Sequence, residues 1–302
     1  MDKERRFPII LSSFWLKIAA LLTMTIDHVG YMLLSTQLLP QLGYVFRIIG
    51  RIALPLFCFM IAEGVIHTKN FRRYILRLGI MASVVSLIII GSNEIPFFRN
   101  YGLSMRDEGI IFVDLLLGAV SVYCLMQKKW YIKILAILPL AFGVASFIAT
   151  EFDWCGCYGE VWWVPYFIRG QYGWYSILLI IAFYFAHYLS QLFIKFASSI
   201  SQIPYETYEG SYFERNTINV ISVILLSIIT IAYYYICKFT PEKFAFWSDL
   251  LYVQLYAILA GVFILLYSGL RGYNKKWFQY GSYLYYLLHM LIIGIIFYLI
   301  LL

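Results

Sequence analysis

Long apolar runs constrain this chain more than any other feature of its sequence. About 20 helical residues span the roughly 30 Å hydrocarbon core of a bilayer. Runs of this kind lie near residues 14–36, 44–67, 74–91, 109–126, 130–150, 172–195, 217–237, 248–268 and 281–301. With 62% hydrophobic and 13% charged residues, the composition excludes a soluble globular domain. We predict an all-α polytopic transmembrane helix bundle of about nine spans, forming a single domain over residues 1–302.

Lysines and arginines gather at alternate ends of these runs and indicate an orientation. Basic clusters lie at the N-terminus (Lys3, Arg5 and Arg6) and in the 67–77, 127–133 and 270–276 segments. Because cytoplasmic loops carry the excess of these residues, we expect a cytoplasmic N-terminus and a C-terminus outside. The first run carries Lys17 and has no small-residue cleavage site, so we expect it to be retained as a signal anchor.

The net charge of +7 is therefore mainly a topology signal. It also favours attraction to anionic membrane lipid, and we expect no nucleic-acid partner. Cys155 and Cys157 lie in a loop predicted outside, and their spacing fits neither a zinc site nor a thioredoxin motif. A disulfide in this loop stays open, and no metal site is predicted.

Ionisable residues inside the apolar runs are the strongest functional signal. Charged groups at membrane depth cost several kcal/mol and usually mark a substrate path or a reaction centre. Lys17 and His28 are separated by ten residues, so a helix places them within about 20° of one face and roughly 16 Å apart along its axis. Asp27 precedes His28, and His289 lies about two turns into the last run. We expect His28 to have a function.

The second run carries Arg47, Arg51 and Glu63. The two arginines share a helix face, and Pro55 is expected to kink the helix just after them. Structural interpretations stand beside the functional ones. In these interpretations Lys17 snorkels to the membrane interface, Asp27 is a hydrogen-bond partner for an arginine, and Arg47 and Arg51 are interfacial anchors.

Three segments carry a resemblance to a known family. They are Leu16–Gly30 (LKIAALLTMTIDHVG), Phe46–Phe59 (FRIIGRIALPLFCF) and Ala62–Asn70 (AEGVIHTKN). Together with Asn93–Phe97 (NEIPF), they resemble the N-terminal third of the TraX family, named for a conjugal-transfer component that acetylates the N-terminus of F-type pilin. The resemblance implies a multi-pass protein of the bacterial plasma membrane.

A wider resemblance is to the integral-membrane acyltransferase-3 superfamily, in which an arginine and, after ten residues, a histidine open the first helix. Here Lys17 takes the arginine position and His28 the histidine position. Tyr283–His289 is similar to the signature of that superfamily's last helix. The resemblance implies an acyl-CoA donor, most simply acetyl-CoA, entering from the cytoplasm, and an acceptor presented from the far side.

The resemblance suggests roles for the membrane-embedded acids and bases. Acyl transfer needs a base to deprotonate an amine or hydroxyl. We expect His28 to be this base, with Asp27 or Glu63 orienting it. His289 is a second candidate base or a hydrogen-bond partner. Direct transfer and an acyl-histidine intermediate are both open.

The resemblance also suggests roles for the basic side chains. Arg47 or Arg51 would steady the negative charge that develops on the thioester oxygen or hold an anionic acceptor. Lys17 would face the phosphates of CoA together with the basic loop. The expected residues of that loop are Lys69, Arg72 and Arg73.

The acceptor is less constrained than the donor. Tryptophans of the loops predicted outside would stack on a sugar or cover an apolar peptide, or they are interfacial anchors: Trp154, Trp162, Trp163 and Trp174. A pilin-like peptide and a cell-surface glycan are both open acceptors. The alternative functions are a transporter or channel with a polar path, and a non-catalytic assembly factor.

Overall fold

The structure is a computed structural model that describes residues 10–94, 109–155, 161–239 and 252–301. Within these residues we number eleven α-helices: α1 Ser13–Ser35, α2 Pro40–Gly50, α3 Ala53–His67, α4 Phe71–Glu94, α5 Ile111–Met126, α6 Trp130–Ile134, α7 Ile137–Cys155, α8 Trp174–Ser201, α9 Tyr212–Phe239, α10 Ala260–Leu265 and α11 Lys276–Leu301. Short 3-10 helices form at Tyr166–Ile168, Tyr205–Thr207 and Leu255–Leu259. The predicted all-α class is confirmed.

Seven stretches of helix are long and apolar enough to cross a membrane within the described part of the chain. They coincide with seven of the predicted runs. The predicted runs at 109–126 and 248–268 contain shorter apolar helices, Ile111–Met126 and Tyr252–Leu265. The chain is therefore a multi-pass membrane protein, while the count of nine and the orientation stay predictions.

Some predicted features lie outside the described residues. These are the basic N-terminal cluster, residues 95–108 of one loop with the end of the NEIPF segment, Cys157, and residues 240–247 of another loop. The signal-anchor and disulfide predictions are therefore untested.

The chain divides into two compact units. The first comprises Met1–Met60, Phe185–Thr230 and Val253–Leu302, and the second Ile61–Tyr184 and Ile231–Tyr252. The boundaries fall within α3, near the middle of α8 and within α9.

In the first unit, α1 and α11 run parallel at a nearly constant offset in residue number. The Thr25 and Tyr285 hydroxyls are 2.6 Å apart, and the Lys17 ammonium lies 5.7 Å from the centre of the Phe278 ring. Near their starts, the Ser13 amide donates to the Leu270 carbonyl over 2.8 Å. If both helices cross the membrane, a parallel pair at the two ends of the chain requires an odd number of crossings, and the predicted nine has that parity.

Glycines let α1 and α2 pack antiparallel with their backbones close together. A Cβ on Gly30 would lie 2.7 Å from the Cβ of Phe46, and one on Gly50 would overlap the Asp27 carboxylate. Small residues at such an interface allow close approach within a membrane. The close approach brings Asp27 on α1 up against α2.

The second predicted run contains two helices that follow each other within one apolar stretch, Pro40–His67. Helix α2 ends at Gly50, Arg51 and Ile52 form a turn, and α3 begins at Ala53. A proline ring clashes with the carbonyl four residues earlier, which for Pro55 is that of Arg51. The turn between α2 and α3 thus lies at the residue whose carbonyl Pro55 affects, while Arg51 itself keeps right-handed helical backbone angles.

In the second unit, buried Arg169 ties together the loop that follows residue 160. Its Nη1 donates to Asp153 Oδ2 over 2.5 Å, its Nε to the Val164 carbonyl over 2.7 Å, and its Nη2 to the Val161 carbonyl over 3.1 Å. The loop is held in place while the side chain of Trp162 remains 83% exposed.

Replacing Arg169 with methionine is expected to loosen this loop. The change leaves Asp153 Oδ2 and two carbonyls without their arginine donor, while Asp153 Oδ1 keeps the Val161 amide, and breaking a buried pair costs about 3 kcal/mol or more. Hydrogen exchange of the 161–173 segment should accelerate about 100-fold or more, measured by mass spectrometry in detergent. The control is Arg73→Met, since Arg73 is exposed; equal exchange in both variants would contradict the role of Arg169.

Candidate functional site

A buried carboxylate bridges two guanidinium groups at the interface of α1 and α2. Asp27 Oδ2 accepts from Arg47 Nη1 over 2.5 Å, and Asp27 Oδ1 accepts from Arg51 Nη2 over 2.8 Å. All three residues are buried. With two cations to one anion, the group carries a formal charge of +1. The three side chains form an ion cluster within the first unit.

Next to this cluster, two histidines from opposite ends of the sequence form a hydrogen bond. His28 Nδ1 on α1 and His289 Nε2 on α11 are 2.9 Å apart. His289 Nδ1 lies 3.1 Å from the carbonyl oxygen of Tyr285. A carbonyl oxygen only accepts, so Nδ1 of His289 carries the proton there.

The hydrogen-bond chain assigns the tautomer of the neutral pair. With Nδ1 protonated, neutral His289 has its lone pair on Nε2 and accepts at that atom. His28 must then donate through Nδ1, and its own lone pair is left on Nε2. The pair therefore presents His28 Nε2 as a basic nitrogen within the bundle.

Aromatic rings hold the imidazole of His289 in position. The Tyr285 ring stacks on it with centres 5.7 Å apart and planes within 10°, and the Tyr286 ring packs against it at 5.5 Å. The hydroxyl contact of Tyr285 with Thr25 joins this group to α1. His289 is buried and His28 is half-buried.

Gln254 joins the cluster from a run, residues 248–268, in which no candidate site residue was predicted from the sequence. Arg51 Nη1 donates to Gln254 Oε1 over 3.3 Å, and Gln254 directly precedes the 3-10 helix Leu255–Leu259. Sequence reasoning missed this residue because it considered charged residues and histidines. A polar amide within the run at 248–268 was the available signal.

Lys17 lies at the other end of α1 from the histidine pair. It is half-buried, and eleven residues of helix place it about 16 Å along the axis from His28. Its ammonium sits over the ring of Phe278, near the start of α11. The face of α1 predicted to carry a cation and an imidazole is the face turned to α11.

The other predicted site residues belong to the second unit. Buried Glu63 lies 3.5 Å from His67 in the last turns of α3. Three exposed cations follow: Lys69 lies in the turn after α3, whereas Arg72 and Arg73, predicted as part of a basic loop, lie in the first turn of α4. The Asn70 side chain accepts from the Arg73 amide over 3.1 Å. The hydrogen bond that the structure shows for His28 is to His289, and those of Asp27 are to the arginines.

The tryptophans are placed differently from one another. Trp162 is 83% and Trp163 43% exposed, whereas Trp174 at the start of α8 packs against Tyr233 with ring centres 5.3 Å apart. The side chain of Trp154 lies outside the described part. Trp162 and Trp163 are therefore the two that present open surface.

Comparison with known proteins places the N-terminal helices in a family. The sequence model described as "TraX protein" matches residues 12–246. The chain is 29% identical over 152 residues to a probable fimbrial assembly protein, FimC of serogroup H1, from Dichelobacter nodosus, with 47% of this chain and 57% of the relative covered. It is 29% identical over 149 residues to an uncharacterized protein of Rickettsia prowazekii (strain Madrid E), with 45% and 55% covered.

The chain thus spans little more than half the length of these two relatives. No solved structure matches it. The family match includes the helices that carry Lys17, Asp27, His28 and both site arginines, and it extends over well more than half of the residues. On this match, the chain belongs to the TraX family.

Proposed function

We propose that this protein is an integral-membrane acyltransferase that moves an acetyl group from acetyl-CoA to an amine or hydroxyl. The observation that carries the proposal is the His28–His289 hydrogen bond, which leaves the lone pair of His28 on Nε2. A neutral imidazole fixed in one tautomer by a second group is the arrangement that a general base requires.

The reaction then follows from this nitrogen. His28 Nε2 takes the proton of the acceptor amine or hydroxyl as the acceptor atom bonds to the thioester carbonyl carbon. The carbonyl oxygen becomes an oxyanion, and its collapse breaks the carbon–sulfur bond. The leaving thiolate of CoA takes the proton back from the His28 imidazolium, which restores the base.

The charge cluster supports the same chemistry. Asp27, Arg47 and Arg51 together carry a formal charge of +1. They belong to the same unit as His28, which directly follows Asp27 in the sequence. Positive potential in a low-dielectric site stabilises a developing oxyanion more strongly than it would in water. The arginines keep their partner Asp27, so they act through their field and not as unpaired ligands.

The position of Lys17 suits the donor. About 16 Å of helix separates it from His28, a distance that the extended pantetheine arm of CoA spans. With Lys17 at a phosphate, the thioester reaches the histidine pair. Lys69, Arg72 and Arg73 remain proposed contacts for phosphates on approach, and anionic lipid is a further proposed partner.

The acceptor class is proposed from the family and the relative. One relative is named as a probable fimbrial assembly protein, and pilin-like subunits carry an N-terminal amine. A pilin-like peptide amine is therefore the first acceptor to test, with a glycan hydroxyl second. The proposed location is the bacterial plasma membrane.

The direct test uses purified protein in lipid nanodiscs. Isothermal titration measures binding of acetyl-CoA, and release of the free CoA thiol measures slow hydrolysis with water as acceptor. We expect saturable binding and slow turnover by the wild-type protein. A protein that neither binds nor hydrolyses acetyl-CoA would overturn the proposed function.

Replacing Lys17 with methionine is expected to raise the KM for acetyl-CoA about 10-fold with little change in kcat. A charge-assisted contact to phosphate is worth about 1.5 kcal/mol or more, and binding that is equal in ground and transition states affects KM alone. Lys195→Met is a matched control, since Lys195 also lies over a ring, that of Tyr205 at 5.9 Å. An unchanged KM in Lys17→Met would refute the phosphate contact.

One observation favours transport as a second candidate function. A turn at buried Arg51 separates α2 from α3 within one apolar stretch, and discontinuous helices form ion and solute sites in transporters. Proteoliposomes loaded with a pH-sensitive dye test this directly. A proton flux by a wild-type protein that does not turn over acetyl-CoA would favour transport.

A further inference from the structure

The amide of Gln254 has a defined orientation. The side chain is buried, with 2% of the residue exposed, and its Oε1 accepts from Arg51 Nη1 over 3.3 Å. A guanidinium has donors and no acceptor, so the oxygen of the amide must face Arg51. The NH₂ group consequently points away from the arginine.

That NH₂ group has no acceptor within the described residues. Gln254 Nε2 is buried and makes no hydrogen bond there. A buried donor left without a partner costs about 1–3 kcal/mol, and such groups in native proteins call for an explanation such as a ligand or a catalytic role. The NH₂ group of Gln254 is therefore a buried hydrogen-bond donor that can bind an oxygen atom of a ligand.

The surroundings select the chemistry of that acceptor. Arg51 binds both the Gln254 oxygen and the Asp27 carboxylate, so the amide is tied to the cluster of formal charge +1. Asp27 is the neighbour of His28 in α1. An oxygen that gains negative charge during the reaction is favoured here over a cation or an apolar group.

We propose that Gln254 Nε2 donates a hydrogen bond to the carbonyl oxygen of an acyl thioester and to the oxyanion formed from it. The proposal rests on the proposed function and adds a residue to its site. Arg51 is a positioning residue for this donor, because it fixes the amide through Oε1. No bond forms or breaks at Gln254, and the hydrogen bond shortens as the oxygen becomes negative.

The first test reads the carbonyl directly in the wild-type protein. Infrared difference spectra of bound acetyl-CoA, labelled with ¹³C at the acetyl carbonyl, report the stretching frequency of that bond. A hydrogen bond to the oxygen lowers the frequency relative to that of the same labelled acetyl thioester in a dry aprotic solvent, where the carbonyl has no donor. A bound carbonyl at the aprotic frequency would overturn the role of Gln254.

The second test uses Gln254→Glu, which keeps the shape and an oxygen facing Arg51 but removes the NH₂ donor. Loss of one oxyanion donor lowers kcat by about 10²–10³-fold. We expect this loss with the KM for acetyl-CoA nearly unchanged, together with return of the carbonyl frequency toward the aprotic value. Gln191→Glu, at an exposed position of α8, controls for the added charge.

The outcomes separate this inference from the proposed function. A wild-type protein that hydrolyses acetyl-CoA, with Gln254→Glu equally active and folded, would overturn the inference and leave the proposed function standing. A wild-type protein without binding or turnover overturns both. If Gln254→Glu does not fold, the frequency of the wild-type complex decides the question.

Discussion

Replacing His28 with glutamine is expected to lower the turnover of acetyl-CoA by about 10²–10⁴-fold, the contribution of a positioned general base. Glutamine keeps a polar side chain of similar length and has no basic nitrogen. Its amide NH₂ can still donate to His289 Nε2, so the contact between α1 and α11 is preserved. Release of the free CoA thiol from nanodisc-embedded protein measures the effect.

Measuring the affinity for acetyl-CoA distinguishes the loss of the catalytic base from the loss of the binding site. Acetyl-CoA should bind His28→Gln with an affinity within a few-fold of wild type, because the proposed phosphate contacts lie about 16 Å away along α1. His187→Gln is the matched control: His187 is a half-buried histidine on α8 in the same unit. Full turnover by a folded His28→Gln protein would remove His28 from the mechanism.

The same hydrogen-bond geometry predicts which histidine substitution lowers turnover more. His289 accepts from His28 Nδ1 and so fixes the tautomer, but in this arrangement its own Nε2 is occupied. His289→Gln retains an acceptor, the amide oxygen, at a similar reach. Its loss of turnover is therefore expected to be smaller than that of His28→Gln, and a larger loss would assign the base to His289.

Helical periodicity explains how much of the site was predictable. Positions along one helix follow from the spacing of residues, so the shared face of Lys17 and His28, and that of Arg47 and Arg51, could be read from the sequence. The interpretation of Asp27 as a hydrogen-bond partner for an arginine matches its two ion pairs. These inferences needed no knowledge of which helices are neighbours.

Contacts between distant helices could not be derived in this way. The His28–His289 bond joins residues 261 positions apart, and it depends on the parallel register of α1 and α11. The same limit applies to Gln254, whose link to Arg51 depends on tertiary packing across 203 positions. The turn at Arg51 was predictable in kind from Pro55, but its length depends on how the freed backbone groups are accommodated.

Replacing Asp27 with asparagine is expected to destabilise the protein by about 3–5 kcal/mol, the cost of leaving a buried charge without its partner. The carboxylate serves both Arg47 and Arg51, so one substitution removes an ion pair from each of two buried cations. The measurement is reversible unfolding in mixed micelles, followed by far-ultraviolet circular dichroism. Glu209→Gln, at an exposed acidic position, is the control.

The bridge predicts an asymmetry that a simple salt bridge would not show. Arg47→Met leaves Asp27 paired with Arg51 and removes one unit of positive charge, so it should cost clearly less than Asp27→Asn. Adding Arg47→Met to Asp27→Asn should then recover part of the lost stability, because it removes one of the two buried cations that lost their ion pair with Asp27. Non-additivity of this sign in the double-mutant cycle is the expected result.

The asymmetry also separates the two roles of the cluster. If Asp27 mainly holds the arginines, the variant with both Asp27→Asn and Arg47→Met regains stability relative to Asp27→Asn. In that variant Arg51 alone keeps the formal charge of the group at +1, so turnover should recover together with stability. Simple additivity of the two substitutions, or an Asp27→Asn protein as stable as wild type, would show that the carboxylate does not bridge the arginines in the membrane.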